Sequence, residues 1–546
     1  MLLKPDSRPI SQAQLAAEVK SIYTGLTMIE SKCIHADGAM RDGKYRISND
    51  HWKVLNALHR TLLHEYHDFF LASQHPTASW ALRRLASKYS MPARMWKHGI
   101  HSFLELLRYQ LPNSLEFMMN FIYTAYQMMS LLYETVPAFK NTWIECLGNL
   151  GSYRMAIDNG NVRDHENWAS VSRFWYTKAA DRSPEVGRLY HHLAILARPN
   201  ALQQLFLYSR SLISVQIFTT ARETILTLFN PILGRSDAAS SHMSQLDTIF
   251  IKASAILFTK EHLDDFKRFH DGFTELLDQH ISRVTAEWRE QGVWVIISLL
   301  GALFDYGNDS PLRRVFELGF HLLAQQPRDK SQADQSATFD PQQAQSDGDT
   351  VMENLNVPTT VDSESKIAFK HALKFYTTVV TSVLRRLGDE NVLPFVHILL
   401  VFLLSLIQVK SLDSRIESAY IVKTILARVP LGELCSFLNT LARSNSADAR
   451  YETETFVRSE RKDSIPLPED HLIRGQVWAQ HYFPADLFKS GEWDDEEGKI
   501  EHASTVIMRA NRVLNLGFRL AQLHKFGIQY DVRTKTFNLI NHPNCG

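Results

Sequence analysis

The chain has 546 residues, 45% of them hydrophobic and 22% charged, which is ordinary for a globular protein and too long for a single hydrophobic core. Lys plus Arg and Asp plus Glu are equal at 59 each, so no net field steers the whole molecule toward nucleic acid or membrane; such binding must come from a local patch. Cys33, Cys146, Cys435 and Cys545 lie far apart with no Cys-x-x-Cys spacing, which argues for reduced thiols of an intracellular protein rather than a disulfide framework.

The opening Met1-Leu2-Leu3-Lys4-Pro5-Asp6 lacks the apolar stretch of a signal peptide. Helices are predicted over about 11–34 and 49–74, with a Gly-rich loop at Asp37-Gly38 and Asp42-Gly43 between them. From Trp96 the apolar residues Ile100, Phe103, Leu104, Leu107 and Leu111 recur at helical spacing, with Lys97, His98, His101, Glu105 and Arg108 on the opposite face. Pro92 and Pro112 bracket this segment as one helix. Asn113-Ser114 opens another apolar helix over 115–136, halted by Pro137.

Between Trp143 and Phe229 two helix-pair signatures follow one another. Leu147-Gly148 and Leu193-Ala194 place small residues where two antiparallel helices of a repeat approach closely, 46 residues apart. That is longer than the ~34 residues of a tetratricopeptide unit. The excess maps to 158–165, Asp-Asn-Gly-Asn-Val-Arg-Asp-His, read as an inserted loop. Pro184 and Pro199 punctuate the repeat boundaries. Such pairs cannot bury their apolar faces alone, so they stack on neighbours and build a recognition surface.

Beyond Pro231 helical patterns continue over 246–258, 262–288, 293–304 and 312–325. Residues 327–364 are acidic and nearly free of aromatics, the composition of a disordered linker. Helices resume over 365–387, 393–409 and about 412–443. The apolar run 392–409 has the length of a membrane span. Pro394 in its first turn and an amphipathic neighbour over 367–387 favour a buried core helix instead, so no membrane contact is expected. A polar linker, 444–464, precedes a terminal module in which Ile528, Tyr530, Val532, Phe537 and Leu539 alternate around Arg533-Thr534-Lys535, predicting a β-hairpin. The predicted class is all-α with one small β element. Its predicted parts are 1–231, helical hairpins 232–326 and 365–443 around the 327–364 linker, the 444–464 linker, and 465–546.

One ordered string carries more. Trp143-x-x-Cys146-Leu147-Gly148-Asn149-Leu150-x-x-Tyr153-Arg154 is followed by Trp175-Tyr176-Thr177-Lys178-Ala179-Ala180 and Ser183-Pro184-x-x-Gly187-x-x-Tyr190-x-x-Leu193-Ala194-Ile195-Leu196-Ala197. Phe206-x-Tyr208-x-Arg210-Ser211-Leu212 and Phe218-x-x-Ala221-x-x-x-Ile225 continue it, and Leu467-Pro468-Glu469-Asp470-x-x-x-Arg474-Gly475 comes late in the chain. This pattern resembles the Est-one/SMG family, which joins telomerase-associated "ever shorter telomeres" proteins with factors of nonsense-mediated mRNA decay. The resemblance implies a 14-3-3-like helical domain with degenerate tetratricopeptide repeats, continuing into helical hairpins. Some members add a PIN nuclease domain. No set of acidic residues embedded in alternating strands and helices stands ready here for two metal ions, so the resemblance is closest to members without one. It implies a non-enzymatic adaptor, in nucleus and cytoplasm, that binds a phosphorylated RNA helicase or other decay factors. The alternative is a telomerase-associated protein that binds telomerase RNA and single-stranded telomeric DNA.

In the family's 14-3-3-like domain a basic residue on an early helix and an Arg-Tyr pair clamp a phosphoserine, two fixed cations and a phenol replacing the phosphate's hydration. Here the pair aligns with Ser152-Tyr153, so the arginine is missing, and Arg154 points about 100° away from that position. His59 or Arg60 matches the earlier basic position. His59, Arg60, Tyr153 and Arg154 are therefore the candidate phosphopeptide- or phosphate-binding residues, set against the plainer reading of Tyr153 and Arg154 as repeat packing. A basic surface for phosphate is the second candidate: Arg83, Arg84, Lys88, Arg94, Lys97 and Arg108 face only Glu105, though a solvated helix face fits as well. The 23 histidines, His64, His67, His191 and His192 among them, show no zinc-ligand spacing, so neither metal nor cofactor is expected. His191 and His192 read as packing or capping residues. No Gly-rich phosphate loop, nucleophile elbow or catalytic carboxylate pair is present in a suitable context.

Overall fold

A computed structural model of the chain describes residues 10–41, 48–157, 162–234, 243–325, 363–412, 416, 419–445, 451–453, 456, 466–484, 486–488, 503–523 and 526–540. Its contacts separate a first unit, Met1–Arg182, from a second, Ser183–Gly546. The predicted division at 231 falls inside the second unit.

In the first unit, helix α1 spans Gln12–Arg41 and runs straight through Asp37-Gly38, where the sequence pattern predicts a loop. Asp37 is buried and its Oδ1 lies 3.1 Å from His59 Nε2 on helix α2 (Asn49–Ser73), a bond that keeps the helix wound. Gly38 sits on an open face, where glycine costs about 1 kcal/mol relative to alanine without breaking a helix held by packing. Asp42-Gly43 lies outside the described residues. Ser48 caps α2, and its buried Trp52, Leu55, Leu62, Leu63, Tyr66, Phe69 and Phe70 form one apolar stripe. Helix α3 (Trp80–Lys88) is capped by Ser79.

The segment bracketed by Pro92 and Pro112 is continuous but not uniform. Helix α4 (Met91–Arg94) passes into a π-helical stretch, Met95–His101, before helix α5 (Ser102–Tyr109). A π turn widens the helix and frees a carbonyl, and here the Gly99 carbonyl oxygen meets His59 Nδ1 at 3.0 Å. Helix α6 (Leu115–Thr135) stops where predicted, before Pro137, and the Trp143 indole N–H donates to the Val136 carbonyl at 3.0 Å. Helices α7 (Lys140–Ile157) and α8 (Val162–Arg182) form the first predicted pair. A Cβ at Gly148 would lie 3.0 Å from the Tyr176 ring, so glycine is what permits the close approach. Of the predicted inserted loop, 158–161 lie outside the described residues, and Val162 to His165 belong instead to the first turn of α8.

The second unit opens with the second pair, α9 (Gly187–Leu196) and α10 (Ala201–Leu212), in which Ala194 is buried. Short helices α11 (Ala221–Thr224) and α12 (Leu226–Leu233) precede α13 (Gln245–Thr259). The helix predicted over 262–288 is shorter, and the one predicted over 293–304 starts earlier. Helix α14 (Phe266–Val284) ends at Thr285, whose φ is +49°, and Trp288 opens helix α15 (Trp288–Leu303). After α16 (Pro311–Gln325), helix α17 (Ser363–Leu384) takes Ser363 and Glu364 from the predicted linker; 327–362 lie outside the described residues.

The apolar run forms helix α18 (Leu393–Lys410), with Pro394 in its first turn. Every residue of it but Gln408 and Lys410 is buried in protein, which fits a core helix rather than a span, although its length and composition would allow one. Helices α19 (Tyr420–Leu426) and α20 (Leu431–Ser444) replace the one predicted over about 412–443, because Pro430 interrupts it. Within the predicted 444–464 linker, Tyr451 is buried and its carbonyl, with that of Thr453, accepts the Asn515 side-chain amide at 3.0 and 2.7 Å; most of the stretch lies outside the described residues. Helices α21 (Pro468–Ile473) and α22 (Ala503–Gln522) lead to the predicted hairpin, β1 (Ile528–Asp531) antiparallel to β2 (Thr536–Leu539), with Tyr530 opposite Phe537. Cys33, Cys146 and Cys435 are buried.

Candidate functional site

Helix α5 separates the residues that the phosphoserine reading would bring together. His59 is completely buried, bridges Asp37 and the Gly99 carbonyl, and stacks on Phe103 with ring centres 4.3 Å apart. Tyr153 instead donates its hydroxyl to Glu105 Oε1 at 2.6 Å. Phe103 and Glu105 are two residues apart on α5, a rotation of about 200°, so His59 and Tyr153 lie on opposite faces of that helix. His59 is thus a polar clasp of the core, reached by no phosphate. Arg60 points outward into a shallow cleft with Lys53, Asn56, Glu116 and Asn120, where two cations stand beside one carboxylate.

Around Tyr153 the charges do not converge as an anion site needs. Glu105 also accepts from Arg108 at 2.6 Å. Burial alone would raise the Glu105 carboxyl, but the Tyr153 hydroxyl and Arg108 outweigh it and hold the pKa below the usual carboxylate range. Burial and that same carboxylate push the Tyr153 phenol up. An ionised carboxylate therefore already holds the Tyr153 hydroxyl. Arg154 lies half-buried with its guanidinium 5.7 Å from the Trp168 ring centre. Ser152 bonds Ser172 at 2.8 Å.

The six predicted surface cations separate into two kinds. Arg94 is a structural residue, paired with the buried Glu30 carboxylate and within 3.4 Å of the Tyr23 hydroxyl. Arg108 is bound to Glu105. The other four, Arg83, Arg84, Lys88 and Lys97, are exposed. Arg83 donates to the Pro76 carbonyl at 2.7 Å, Arg84 stacks on Trp80 at 4.4 Å, and Lys88 lies 5.7 Å from the Tyr89 ring centre.

In the second unit the strongest sequence motifs turn out to hold the fold together. Glu469 of α21 accepts two bonds from Arg509 of α22, at 2.7 and 3.0 Å, and faces His397 Nδ1 of α18 at 3.2 Å. Asp470 caps its own helix by accepting the Leu467 N–H at 2.8 Å and pairs with Arg512 at 3.2 Å. Arg512 in turn lies over Phe456 at 3.7 Å, and His397 Nε2 reaches the Tyr482 hydroxyl at 3.1 Å. All of these charged groups are buried. Burial would raise the Glu469 carboxyl, yet Arg509 and His397 together hold it far below the usual range.

The Arg474-Gly475 turn then docks on the α9–α10 pair. Gly475 has φ +77°, and a Cβ there would fall 1.9 Å from the Pro184 carbonyl oxygen, so only glycine fits. Its own carbonyl accepts the Val215 N–H, and Val477 donates to Ile213, both at 3.0 Å. Arg210 stacks on Tyr190 at 3.9 Å and donates to the His471 carbonyl at 2.7 Å. Sequence reading missed this seam. Its signals were the adjacent acids at a helix start and Arg509 and Arg512 three apart on one helix face. Burial lowers His191 to about 4 and His192 to about 3, which keeps both neutral, and His191 Nε2 bonds Thr224 at 3.1 Å. Among the described residues no three His, Cys, Asp or Glu side chains gather as a metal-binding group.

Comparison with known proteins places this architecture. The family model described as the Est1 DNA/RNA binding domain matches residues 172–482, more than half of the chain. The chain belongs to the Est1/SMG family. EST/SMG-like protein 2 of Saccharomyces cerevisiae is 21% identical to this Est1-family chain over 243 residues, 43% of the chain and 20% of that protein. Telomerase-binding protein EST1A of Danio rerio is 30% identical over 104 residues, 18% of the chain and 7% of that protein. The matched region thus spans no more than a fifth of either relative. A crystal structure of Est1 and Cdc13 matches 94% of the chain and 100% of its own at a TM-score of 0.55 and 11% identity, a likeness of fold.

Proposed function

We propose that this Est1-family chain is a non-catalytic scaffold that holds single-stranded nucleic acid within a telomerase-associated or mRNA-decay assembly. The match of the Est1 DNA/RNA binding domain to residues 172–482 carries this reading. Between the two roles that the sequence resemblance implies, the geometry lends less support to an adaptor that clamps a phosphorylated RNA helicase. His59 is in the core, Ser152 stands at the arginine position, and the Tyr153 hydroxyl is already bound to the Glu105 carboxylate. The telomerase-associated reading, with telomerase RNA or single-stranded telomeric DNA as ligand, needs no such clamp. It also accords with the likeness to a telomerase-binding protein and to the fold of Est1. Nucleus and cytoplasm are the compartments such a role entails.

The test measures fluorescence anisotropy of labelled single-stranded RNA and DNA with the full chain across a salt series, beside a phosphoserine peptide and its unphosphorylated twin. Oligonucleotide affinity is expected to fall steeply with salt, by about 0.7 in the log–log slope per phosphate contacted. The two peptides are expected to bind alike. Phosphate-dependent peptide binding without oligonucleotide binding would restore the helicase-adaptor reading.

A further inference from the structure

Helix α3 carries a feature that neither its packing nor the Est1-domain match accounts for. Trp80, in its first turn, is 72% exposed, although tryptophan is on average a well-buried side chain. Arg84 lies one helical turn on, its guanidinium 4.4 Å from the indole centre, and Lys88 one turn further, beside the 41%-exposed ring of Tyr89. Residues 80, 84 and 88 recur at intervals of four, so they line one ridge about 12 Å long. The ridge is well anchored. The Gln74 side chain donates to the Arg83 carbonyl at 2.9 Å, Arg83 donates to the Pro76 carbonyl, and Tyr89 packs against Tyr23 of α1 with centres 5.4 Å apart. From residue 80 to 104 the sequence holds no Asp or Glu. The nearby Glu30 is buried and spent on Arg94.

We infer that this ridge is a contact site for single-stranded nucleic acid, in which an unstacked base lies on the open face of Trp80 and Arg84 and Lys88 hold the flanking phosphates. Flat exposed aromatics alternating with cations are what a strand of bases and phosphates requires, because every base has a π face and every linkage a charge. A duplex offers no base face to a side chain lying on a helix surface. A single phosphoserine needs cations converging on one point, whereas these are strung along a line. The site lies in the first unit, wholly outside the 172–482 match, so it extends the proposed scaffold and can fail without it.

The test compares the full-length wild type with Trp80→Ala, Trp80→Phe and Arg84→Ala/Lys88→Ala, using fluorescent oligouridylate and oligothymidylate, the matching duplex and a phosphoserine peptide. Trp80→Ala is expected to weaken single-strand binding about tenfold, and Trp80→Phe to restore most of it. The double variant is expected to lower the log–log salt slope by about 1.4. Circular dichroism and melting of each variant report folding, which an exposed position should leave intact. A difference between the two oligonucleotides assigns the strand as RNA or DNA. Unchanged oligonucleotide affinity in Trp80→Ala, with wild type binding, sinks the ridge and leaves the scaffold standing. Loss of duplex or phosphopeptide binding instead assigns the ridge to another ligand and overturns the inference, and a wild type that binds no oligonucleotide overturns both.

Discussion

Arg84 and Arg512 make the same contact, a guanidinium lying over an aromatic ring at 4.4 and 3.7 Å, in opposite surroundings. Trp80 beneath Arg84 is 72% exposed, while the Arg512 side chain is sealed at 1% exposure beside Asp470. In the first unit the charge faces water and stays available to a ligand. In the second it is consumed by the fold, tying α18, α21 and α22 together through Glu469, Asp470 and His397. A motif that stands out in the sequence therefore marks structure in one region, and an unremarked tryptophan marks the candidate surface in the other.

That contrast is sharpest in stability. Removing one partner of the buried network, by Glu469→Ala or Arg509→Ala, leaves the other charge unpaired in the core and is expected to cost about 3–5 kcal/mol in chemical denaturation of the second unit. Gly475→Ala forces a Cβ into the Pro184 carbonyl at a positive φ and is expected to cost more than about 2 kcal/mol, read the same way.

Acid probes the same network. Glu469 has a folded pKa below its unfolded value, so its contribution is complete above about pH 4.3 and is lost as pH falls toward the folded value. The wild-type melting temperature is expected to drop between about pH 6 and pH 3. Glu469→Gln, weaker at pH 6, is expected to lose less over that interval. Equal acid slopes for the two proteins would remove Glu469 from the account.

Smaller effects belong to the first unit. Tyr153→Phe removes one bond to a half-exposed carboxylate, with an expected cost of about 1 kcal/mol and no change in oligonucleotide affinity. Trp80→Ala is expected to shift stability by less than about 0.5 kcal/mol, in contrast to its effect on binding. A large destabilisation there would make Trp80 a packing residue and erase the difference between the two regions.

Much of the fold was legible because it is local. Small residues at matching places 46 apart located the α7–α8 and α9–α10 pairs, Pro137 ended α6, and alternation at 528–539 revealed the hairpin. The buried course of α18 was readable from Pro394 and its apolar composition. Long-range partners hid the rest. The loop predicted at Asp37-Gly38 is helix because His59 holds Asp37, and the π stretch at Met95–His101 answers the same histidine. The Glu469 network joins residues 40 and 72 positions apart, and Arg210 meets the His471 carbonyl across 261. Of the candidate site, the sequence supplied the basic segment 80–108 but not the exposure of Trp80, since exposure is a property no spacing encodes.

The most direct measurement is photocrosslinking of 4-thiouridine-substituted single-stranded RNA to the full chain, with the attached peptides identified by mass spectrometry. Crosslinks are expected in peptides of residues 172–482 and in the peptide carrying Trp80, both competed away by unlabelled single strand. Crosslinks confined to other parts of the chain, or absent while a phosphopeptide binds, would contradict a nucleic-acid-holding scaffold.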